Sequence, residues 1–536
     1  MSLWGPGWRE AVWRELEGGA PWDVVVVGGG VAGAGVLREA VRAGLRVLLL
    51  EGRDFAWGTS SRSSKLVHGG LRYLQQGQWR VTRESVRERD RLMREAPGLV
   101  EPVRFLRAVY HAERRRRWLY EAFFTAYDLL GAQQAHAYHS ADELRRLAPP
   151  VAAEGLLGGF SYVDARTDDA RLVLRLLREA AHAGGRALSY ARVESLVQER
   201  GAVAGVRVRD AESGRAAEVR ARAVVNATGA AADVLRGEVA ERTMMRPLRG
   251  SHLVFAAGRL PLAHAVAWRH PADGRNVCAV PWEGVTVVGT TDVDDDAPAG
   301  AEPRASAAET SYLLAGAAAH FPALGLVPDD IVSTWAGVRP VVGGGRADPS
   351  RESRESQVVE ERGLITVAGG KLTTFRPTAV DAIARLRDRF PRMRAPARES
   401  RAFDDVPPDV ADHPALDAAS RQRLAGRHGR DAAALLAAAR DGELETIPDT
   451  LTRWAELRWA ARAEGVTHLD DLLLRRARLG LLLPSGGAAL LPEVRRICQP
   501  ELGWSDARWA AEEAAYLALW NESYAPPVWQ QHVSRG

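Results

Sequence analysis

The chain has 536 residues, of which 46% are hydrophobic and 26% charged, and its formal net charge is +4. This length predicts three or four structural units, and the composition excludes a disordered, collagenous or membrane-spanning chain. The two cysteines provide no disulfide framework, which favours a reducing, cytoplasmic setting. The polar start of the chain, with Arg9 and Glu10, does not have the pattern of a secretory signal.

The first predicted elements form a βαβ unit. An apolar run at 24–27 predicts a buried strand, a helical pattern follows up to Arg42, and a second apolar strand at 46–50 ends at Glu51. The turn between strand and helix contains a G-x-G-x-x-G motif at Gly28, Gly30 and Gly33, and the residue between the first two is also a glycine, Gly29. Such glycines let a pyrophosphate approach the backbone at the helix N-terminus, and Glu51 is placed to accept from ribose hydroxyls and to repel the extra phosphate of NADP. A dinucleotide site is therefore predicted, rather than a plain glycine-rich turn.

The segment 59–73 favours a flavin as the dinucleotide. It combines small hydroxyl residues, paired glycines, a lysine and an Arg-Tyr pair within fifteen positions. Small residues of this kind allow backbone to lie against a flat ring and its phosphates, although a polar surface loop has a similar composition. The cofactor-binding candidates here are Thr59, Ser60, Ser61, Lys65, Leu66, His68, Gly69 and Gly70.

Two later strands are predicted to end beside the same ligand. The run 223–227 leads into Thr228 and Gly229, and the run 364–367 leads into a glycine pair with a helical pattern at 377–389 behind it. Because ligands of open α/β sheets bind at the carboxyl ends of strands, these turns are further candidates. The residues predicted to contact the cofactor here are Gly229, Gly369, Gly370, Lys371, Leu372 and Thr373.

The remaining segments carry no nucleotide motif. A helix at 80–95 interleaves both charge signs and is interpreted as a solvated face. The acidic stretch 292–296 lacks the spacing of a calcium loop, so a solvated turn is predicted and no metal site. Beyond Pro407 and Pro408 the sequence changes to Ala-, Leu- and Arg-rich helical patterns.

Nine motifs, in the same order along the chain, resemble those of the FAD-dependent glycerol-3-phosphate dehydrogenases of the aerobic, quinone-reducing type, over nearly all of residues 20–525. The motifs are 28–35, 59–74, 168–172, 226–229, 250–252, 281–282, 289–292, 337–340 and 369–374. Two departures occur. Phe375 stands where relatives usually carry tyrosine, which is expected to remove a hydroxyl near the substrate, and Ala230-Ala231 replace a Pro-Trp pair.

This resemblance implies an α/β fold: a Rossmann-type FAD-binding domain like those of glutathione reductase and D-amino-acid oxidase, with an α+β substrate cap and a C-terminal helical domain. The expected segments are 20–95, 161–236 and 333–392 for the FAD-binding domain, 96–160 and 237–332 for the cap, and 400–536 for the helical domain. FAD is expected to bind without a covalent link, because no Cys or His stands at an evident attachment position.

The resemblance also implies oxidation of sn-glycerol 3-phosphate to dihydroxyacetone phosphate, with hydride transfer to FAD. Arg72 and Arg339 are expected to clamp the phosphate, since guanidinium binds phosphate oxygens bidentately, and Tyr73 to add a hydrogen bond. His252 and Lys371 are expected to act at the substrate hydroxyl as base or as orienting group, and which of them is the base stays open. The alternative for His252 is a structural core histidine.

The rarity of lysine in this chain is a second reason to expect a functional role for its two lysines. Of the 72 basic residues only Lys65 and Lys371 are lysines, so seventy are arginines. Where arginine has replaced lysine almost everywhere, a surviving lysine indicates a place that a planar guanidinium does not fit. Both lysines fall inside the motifs described above.

The expected electron acceptor is a quinone dissolved in the membrane. The segment from Arg114 to Leu130 joins four arginines to an aromatic helix, a pattern of interfacial membrane binding, although an ordinary amphipathic helix has the same pattern. The expected location is cytoplasmic, on the inner face of the cell membrane. The sequence does not decide between a monomer and a homodimer. The alternative is a glycerol-3-phosphate oxidase that uses O2 and makes H2O2. Nucleic acid is not an expected partner despite a pI of about 9.2, because the arginines are spread out and balanced by 68 acids.

Overall fold

The computed structural model describes residues 3–71, 74, 78–130, 136–298, 300–343, 355–406 and 413–527, with the side chains of 114–117 left out. Several predicted residues lie outside this description, namely Arg72, Tyr73, Pro407, Pro408 and the side chains of Arg114, Arg115, Arg116 and Arg117.

The first sheet has eight strands and carries the predicted nucleotide motif. Six of them lie in the order Ser356–Glu361, Leu364–Gly369, Ala216–Asn226, Trp22–Val27, Val47–Leu50 and Arg186–Leu188. All neighbours in this order are parallel except the first pair. The strands Ala191–Glu199 and Ala202–Asp210 extend Ala216–Asn226 as an antiparallel ribbon.

Helices cover both faces of the first sheet. Alternate residues of Trp22–Val27 are buried against helices on opposite faces, which explains why this strand is apolar throughout. Its helices are Trp8–Glu17, Val31–Arg42, Asp169–His182, Ala232–Arg236 and Phe375–Ala384. The helix predicted at 377–389 thus begins two residues earlier and ends at Ala384.

The second sheet has ten strands. Eight lie in the order Val293–Asp294, Met245–Ala256, Val285–Gly289, Asn276–Trp282, Ala265–Arg269, Val100–Tyr110, Leu156–Thr167 and Leu66–Val67. Ile331–Val342 pairs with Met245–Ala256, and Ala137–Ser140 pairs with Leu156–Thr167. The helices beside this sheet are Trp79–Glu95, Arg117–Leu130, Ala141–Leu147 and Ala307–His320.

Two strands cross the expected domain boundaries. Leu156–Thr167 and Ile331–Val342 both belong to the second sheet along their whole length, whereas boundaries were expected after residues 160 and 332. Leu66–Val67 also pairs into this sheet, although it was expected in the FAD-binding segment 20–95. All three strands therefore belong to the second sheet, and the expected boundaries do not coincide with the division between the sheets.

The C-terminal part is helical, as expected. Its helices are Ala418–His428, Ala432–Ala438, Trp454–Ala463, Leu479–Leu482, Leu491–Leu502 and Asp506–Ser523, with a π-helical turn at Asp471–Arg476. Leucines of this part share one buried cluster with Trp282, Val287 and Trp335 of the second sheet. The α/β fold with a helical C-terminal part is therefore confirmed.

The helix Trp79–Glu95 is not the solvated face that its charge pattern predicted. Arg89 is buried and its Nη1 donates to Asp164 Oδ1 at 2.8 Å, while Val86 is fully buried beside it. The charge of Arg89 can be buried because it is paired. The groups around the guanidinium raise its pKa, although burial alone would lower it. One face of this helix therefore packs against the second sheet and only the other face is solvated.

Candidate active site

The glycine motif forms a close contact between two strand ends. Gly28 has φ +111°, and a Cβ there would lie 2.5 Å from the carbonyl oxygen of Ala227. A Cβ on Gly33 would meet the carbonyl oxygen of Gly28, so the helix can approach the strand only with glycine at this position. A side chain at Gly30 would lie against Ser60 Oγ. Glycine at these positions therefore lets the two strand ends, the helix and Ser60 approach one another closely.

Glu51 is held at the end of the second strand by two backbone amides. Its Oε2 accepts from Gly29 N at 2.6 Å and its Oε1 from Arg53 N at 2.9 Å. Burial raises the pKa of this carboxyl, whereas the two amides oppose that shift. Each carboxylate oxygen keeps a further lone pair, which is what binding a ribose diol requires.

The predicted loop at 59–70 joins the two sheets. Ser60 Oγ accepts from Val31 N at 2.9 Å at the start of the helix, and Thr59 donates to the carbonyl of Val338. Thr373 Oγ1 donates to the carbonyl of His68 at 3.2 Å, which connects this loop to the turn at the end of Leu364–Gly369. The segment therefore bridges the two sheets, and its contact with a cofactor stays a prediction.

The remaining cofactor candidates form turns of unusual backbone conformation. Positive φ angles occur at Gly70 (80°), Gly229 (62°), Gly369 (70°) and Gly370 (90°). Gly69 donates through its amide to Asp164 Oδ1 at 2.9 Å, Leu66 lies in the short strand Leu66–Val67, and Leu372 begins the turn Leu372–Thr374. Ser61 contributes its carbonyl oxygen to the lysine described next.

Lys65 is fully buried. Its Nζ donates to Ser61 O at 2.6 Å and lies 3.0 Å from both carboxylate oxygens of Asp169. Burial, together with the charge of Arg478, lowers the pKa of Lys65 to about 7, against the opposing effect of Asp169. These interactions fix the ammonium inside the protein, beside the C-terminal helices.

His252 lies on a central strand of the second sheet. Its neighbours across the strands are Gly289 on one side and Trp335 on the other, and the imidazole stacks on the Trp335 ring with centroids 5.0 Å apart. A Cβ on Gly289 would collide with the imidazole, so the glycine makes its position possible. Nε2 lies 2.8 Å from Ser64 Oγ, whereas Nδ1 is buried without a hydrogen-bond partner. Burial and the charges of Arg339 and Lys65 hold the pKa of His252 well below its usual range.

Arg339 is anchored on one side. Its Nη1 donates to Thr291 O at 3.1 Å and to Asp292 Oδ1 at 3.0 Å, and its Nη2 donates to Thr290 Oγ1 at 2.9 Å. The side chain is still 23% exposed, and Gly250 opposite it leaves room for the guanidinium. Asp292, predicted to lie in a solvated turn, is buried because it pairs with this arginine.

Lys371 follows the Gly369-Gly370 turn on the first sheet. Its Nζ lies 3.2 Å from Ser85 Oγ of the helix Trp79–Glu95, and it lines an open cleft of about 1110 Å³ beside that helix. Phe375, a departure from the resemblance, is buried against Gly35 between two helices. Its ring therefore occupies the core of the FAD-side helices.

The structure thus brings His252 and Arg339 together on neighbouring strands, with Lys371 at the end of the other sheet. Three contributors to the site were missed from the sequence: Ser64, Trp335 and Thr290. All three lie within or directly beside the quoted motifs, but their roles depend on strand register. No local signal in the sequence identifies Trp335, because its place opposite His252 depends on how the two strands pair.

Among the residues that the structure describes, no group of three or more His, Cys, Asp or Glu side chains is arranged to hold a metal ion. Among the same residues, no helix combines the length and apolar character needed to cross a bilayer.

Comparison with known proteins gives two profile matches. Residues 23–376 match the family described as FAD dependent oxidoreductase, and residues 383–509 match the C-terminal domain of alpha-glycerophosphate oxidase. The glycerol-3-phosphate dehydrogenase 2 of Mycobacterium tuberculosis (strain ATCC 25618 / H37Rv) is 36% identical, covering 96% of this chain and 90% of that protein. The aerobic glycerol-3-phosphate dehydrogenase of Staphylococcus haemolyticus is 32% identical, covering 88% of each chain.

Among solved structures, the glycerol-3-phosphate dehydrogenase of Bacillus halodurans, complexed with FAD, has a TM-score of 0.75 and 28% identity over 98% of this chain and 99% of that one. The fold, the glycine cradle and the profile match define the chain as an FAD-dependent oxidoreductase. Its similarity to curated relatives over most of its length is more specific. The chain belongs to the FAD-dependent glycerol-3-phosphate dehydrogenase family.

Proposed function

We propose that this protein oxidises sn-glycerol 3-phosphate to dihydroxyacetone phosphate and passes the electrons to a quinone in the membrane. The observation that carries the proposal is the guanidinium of Arg339, which is fixed by three hydrogen bonds on one side and still partly exposed on the other. A cation held in this way suits a phosphate dianion, and the names of the relatives support the same substrate.

The residues of the first sheet would hold the cofactor. Gly28 and Gly30 would let the pyrophosphate approach the backbone, Gly33 lets the helix pack against the strand, Glu51 would bind the ribose, and the turns at 59–70 and 369–373 would contact the flavin. When bound, FAD supplies the hydride acceptor. The contribution of the chain is to bind the substrate, orient its reacting carbon and remove the hydroxyl proton.

The substrate would bind between the second sheet and the end of the first. Arg339 binds the phosphate, joined by Arg72 and Tyr73, and the opposite end of the substrate approaches His252 and Lys371. In this arrangement one set of residues binds the phosphate and another contacts the reacting carbon. Holding the substrate at both ends fixes its orientation, and a fixed orientation accelerates the reaction.

A dye-coupled assay tests this function. FAD-loaded protein is supplied with sn-glycerol 3-phosphate, glycerol or lactate, and reduction of the dye is followed in each case. We expect turnover with sn-glycerol 3-phosphate well above that with the two other alcohols. Equal rates on the three compounds would contradict the proposed substrate.

The membrane part of the proposal rests on exposed apolar side chains beside the second sheet. Trp118 is 68% exposed and Leu129 is 72% exposed on the helix Arg117–Leu130, and Trp79 is 53% exposed on the neighbouring helix. A soluble protein usually buries large apolar side chains such as these, whereas a lipid interface accommodates them.

Unpaired cations accompany these apolar groups. Arg80, Arg83, Arg87 and Arg94 are exposed on one face of the helix Trp79–Glu95, and none forms an ion pair or hydrogen bond with another described residue. We expect binding to anionic vesicles that weakens with salt and is reduced in R83Q/R87Q but not in the control R269Q. Equal binding to neutral vesicles would contradict an electrostatic contribution.

Peroxide formation in air without an added acceptor would favour an oxidase instead.

A further inference from the structure

The two nitrogens of His252 have opposite surroundings. Nε2 lies 2.8 Å from Ser64 Oγ, while Nδ1 is enclosed by protein and has no hydrogen-bond partner. The ring is 2% exposed and is fixed by stacking on Trp335. His252 therefore makes a single polar contact, and it makes that contact through Nε2.

This asymmetry selects one tautomer. A buried N–H without an acceptor is destabilising, and native proteins tolerate an unpaired acceptor more readily than an unpaired N–H. The proton of the neutral imidazole is therefore expected on Nε2, donating to Ser64, with the lone pair on the enclosed Nδ1. Protonating the ring would place a new N–H on Nδ1, where no acceptor lies.

The charges around the ring oppose protonation from every side. Arg339 approaches from the strand Ile331–Val342, and Lys65 lies 4.7 Å from the centre of the same Trp335 ring on which the imidazole stacks. The strand Val285–Gly289 contributes only Gly289, which has no side chain. No described carboxylate pairs with the imidazole.

Ser64 then has its own proton to give. With the proton on Nε2, the Ser64 oxygen accepts from His252, and its own hydroxyl hydrogen is then free to point away from the ring. The neighbours Ser63 and Lys65 both bond to the buried Asp169, whereas the Ser64 hydroxyl contacts His252 of the second sheet. The side chain is half-buried, which leaves one direction open for a ligand.

We propose that His252 is a neutral positioning residue that holds Ser64 through Nε2–H, and that the Ser64 hydroxyl donates to the oxygen on the reacting carbon of the substrate. The inference rests on the proposed function, and it decides against His252 as proton acceptor. Of the two candidates for that role, Lys371 then remains.

The tautomer can be observed without turnover. FAD-loaded protein labelled with ¹⁵N-histidine gives nitrogen resonances by NMR, and the His252 signals are those absent from H252N. We expect a protonated Nε2 and an unprotonated Nδ1 throughout the range from about pH 5.5 to 8.5. A protonated Nδ1, or a change to imidazolium in this range, would overturn the proposal.

Kinetics give a second, independent readout. S64A is expected to lower kcat by about 10- to 100-fold with FAD still bound, because a positioned donor is lost, while the control S195A on a remote strand is unaffected. H252N is expected to keep the acidic limb of the kcat/KM pH profile at its wild-type position. Loss of that limb in H252N, or wild-type kcat in S64A, would contradict the role.

If the wild-type protein does not oxidise sn-glycerol 3-phosphate, the proposed function fails, whereas the NMR result still tests the tautomer.

Discussion

Arg339 and Asp292 form an ion pair, with Nη1 of the arginine 3.0 Å from Oδ1 of the aspartate. Asp292 is buried, and Thr290 and Thr291 of the same turn bind the guanidinium from the same side. An arginine held by a buried carboxylate loses little freedom when it binds a ligand. The exposed part of the guanidinium is therefore held in a fixed orientation.

The first prediction concerns Arg339→Leu. A charge-assisted contact contributes about 1.5–3 kcal/mol, so kcat/KM for sn-glycerol 3-phosphate should fall about 10- to 100-fold relative to slow oxidation of glycerol. Steady-state kinetics on both alcohols measure the ratio. The exposed Arg269→Leu serves as the control, and equal losses on both alcohols would make Arg339 purely structural.

Lys371→Arg is predicted to damage turnover although it keeps the charge. A guanidinium is wider than an ammonium and holds its donors in one plane, and a misplacement of about 1 Å can cost 100-fold in rate. Steady-state kinetics and flavin occupancy should be measured beside Lys371→Ala. Near-normal turnover of the arginine variant would mean that only the charge matters at this position.

Lys65→Arg is predicted to act differently, on stability. The Lys65 side chain is fully buried, with Asp169 on one side and the Trp335 ring on another, so a larger head must displace packed atoms. Overpacking of this kind costs about 1–3 kcal/mol in the free energy of unfolding. Denaturant unfolding of the FAD-loaded protein tests this, with Arg269→Lys as the exposed control. Unchanged stability with loss of FAD would instead place Lys65 at the cofactor.

The sequence predicted the nucleotide unit well because its signals are local. The strand, the glycines, the helix and Glu51 follow one another within thirty residues, and each has a direct physical meaning. The surroundings of His252 were not predictable in this way. Ser64, which contacts the imidazole, lies 188 residues before His252 in the sequence. Trp335 lies after it, on a strand that pairs with the strand of His252. Such contacts depend on register and sheet order, which no local pattern contains.

The helix Trp79–Glu95 shows why charge patterns mislead. Oppositely charged residues spaced three or four apart suit a solvated helix, but they equally suit a helix whose partners lie elsewhere in the chain. Arg89 bonds to Asp164, which is 75 positions away on a strand of the second sheet. The sequence therefore identified the helix but could not tell which of its charges are buried.

Stability is predicted to depend on pH through Asp431, which joins the helix Asp169–His182 to the C-terminal part. Burial alone would raise its pKa, but a hydrogen bond from His182 and the charge of Arg178 lower the pKa of Asp431 to about 2. Because the folded-state pKa is depressed, this stabilisation is complete above the unfolded-state value near 3.8 and is lost as pH falls towards 2.

Asp431→Asn should therefore lower the free energy of unfolding by about 2–3 kcal/mol at neutral pH. The difference from wild type should stay constant down to about pH 5 and shrink below that, because the wild-type carboxylate becomes protonated. Thermal unfolding followed at several pH values measures it. A difference that persists unchanged at the lowest accessible pH would show that the charge of Asp431 is not its cause.

The central claim, oxidation of sn-glycerol 3-phosphate by the FAD-loaded protein, is tested most directly by its visible spectrum in the absence of oxygen. On addition of sn-glycerol 3-phosphate, the account predicts loss of the oxidised flavin absorbance with formation of dihydroxyacetone phosphate in equal amount. Glycerol at the same concentration should leave the absorbance nearly unchanged over the same time. An absorbance that does not change with the phosphorylated substrate, or that falls equally with glycerol, would contradict the account.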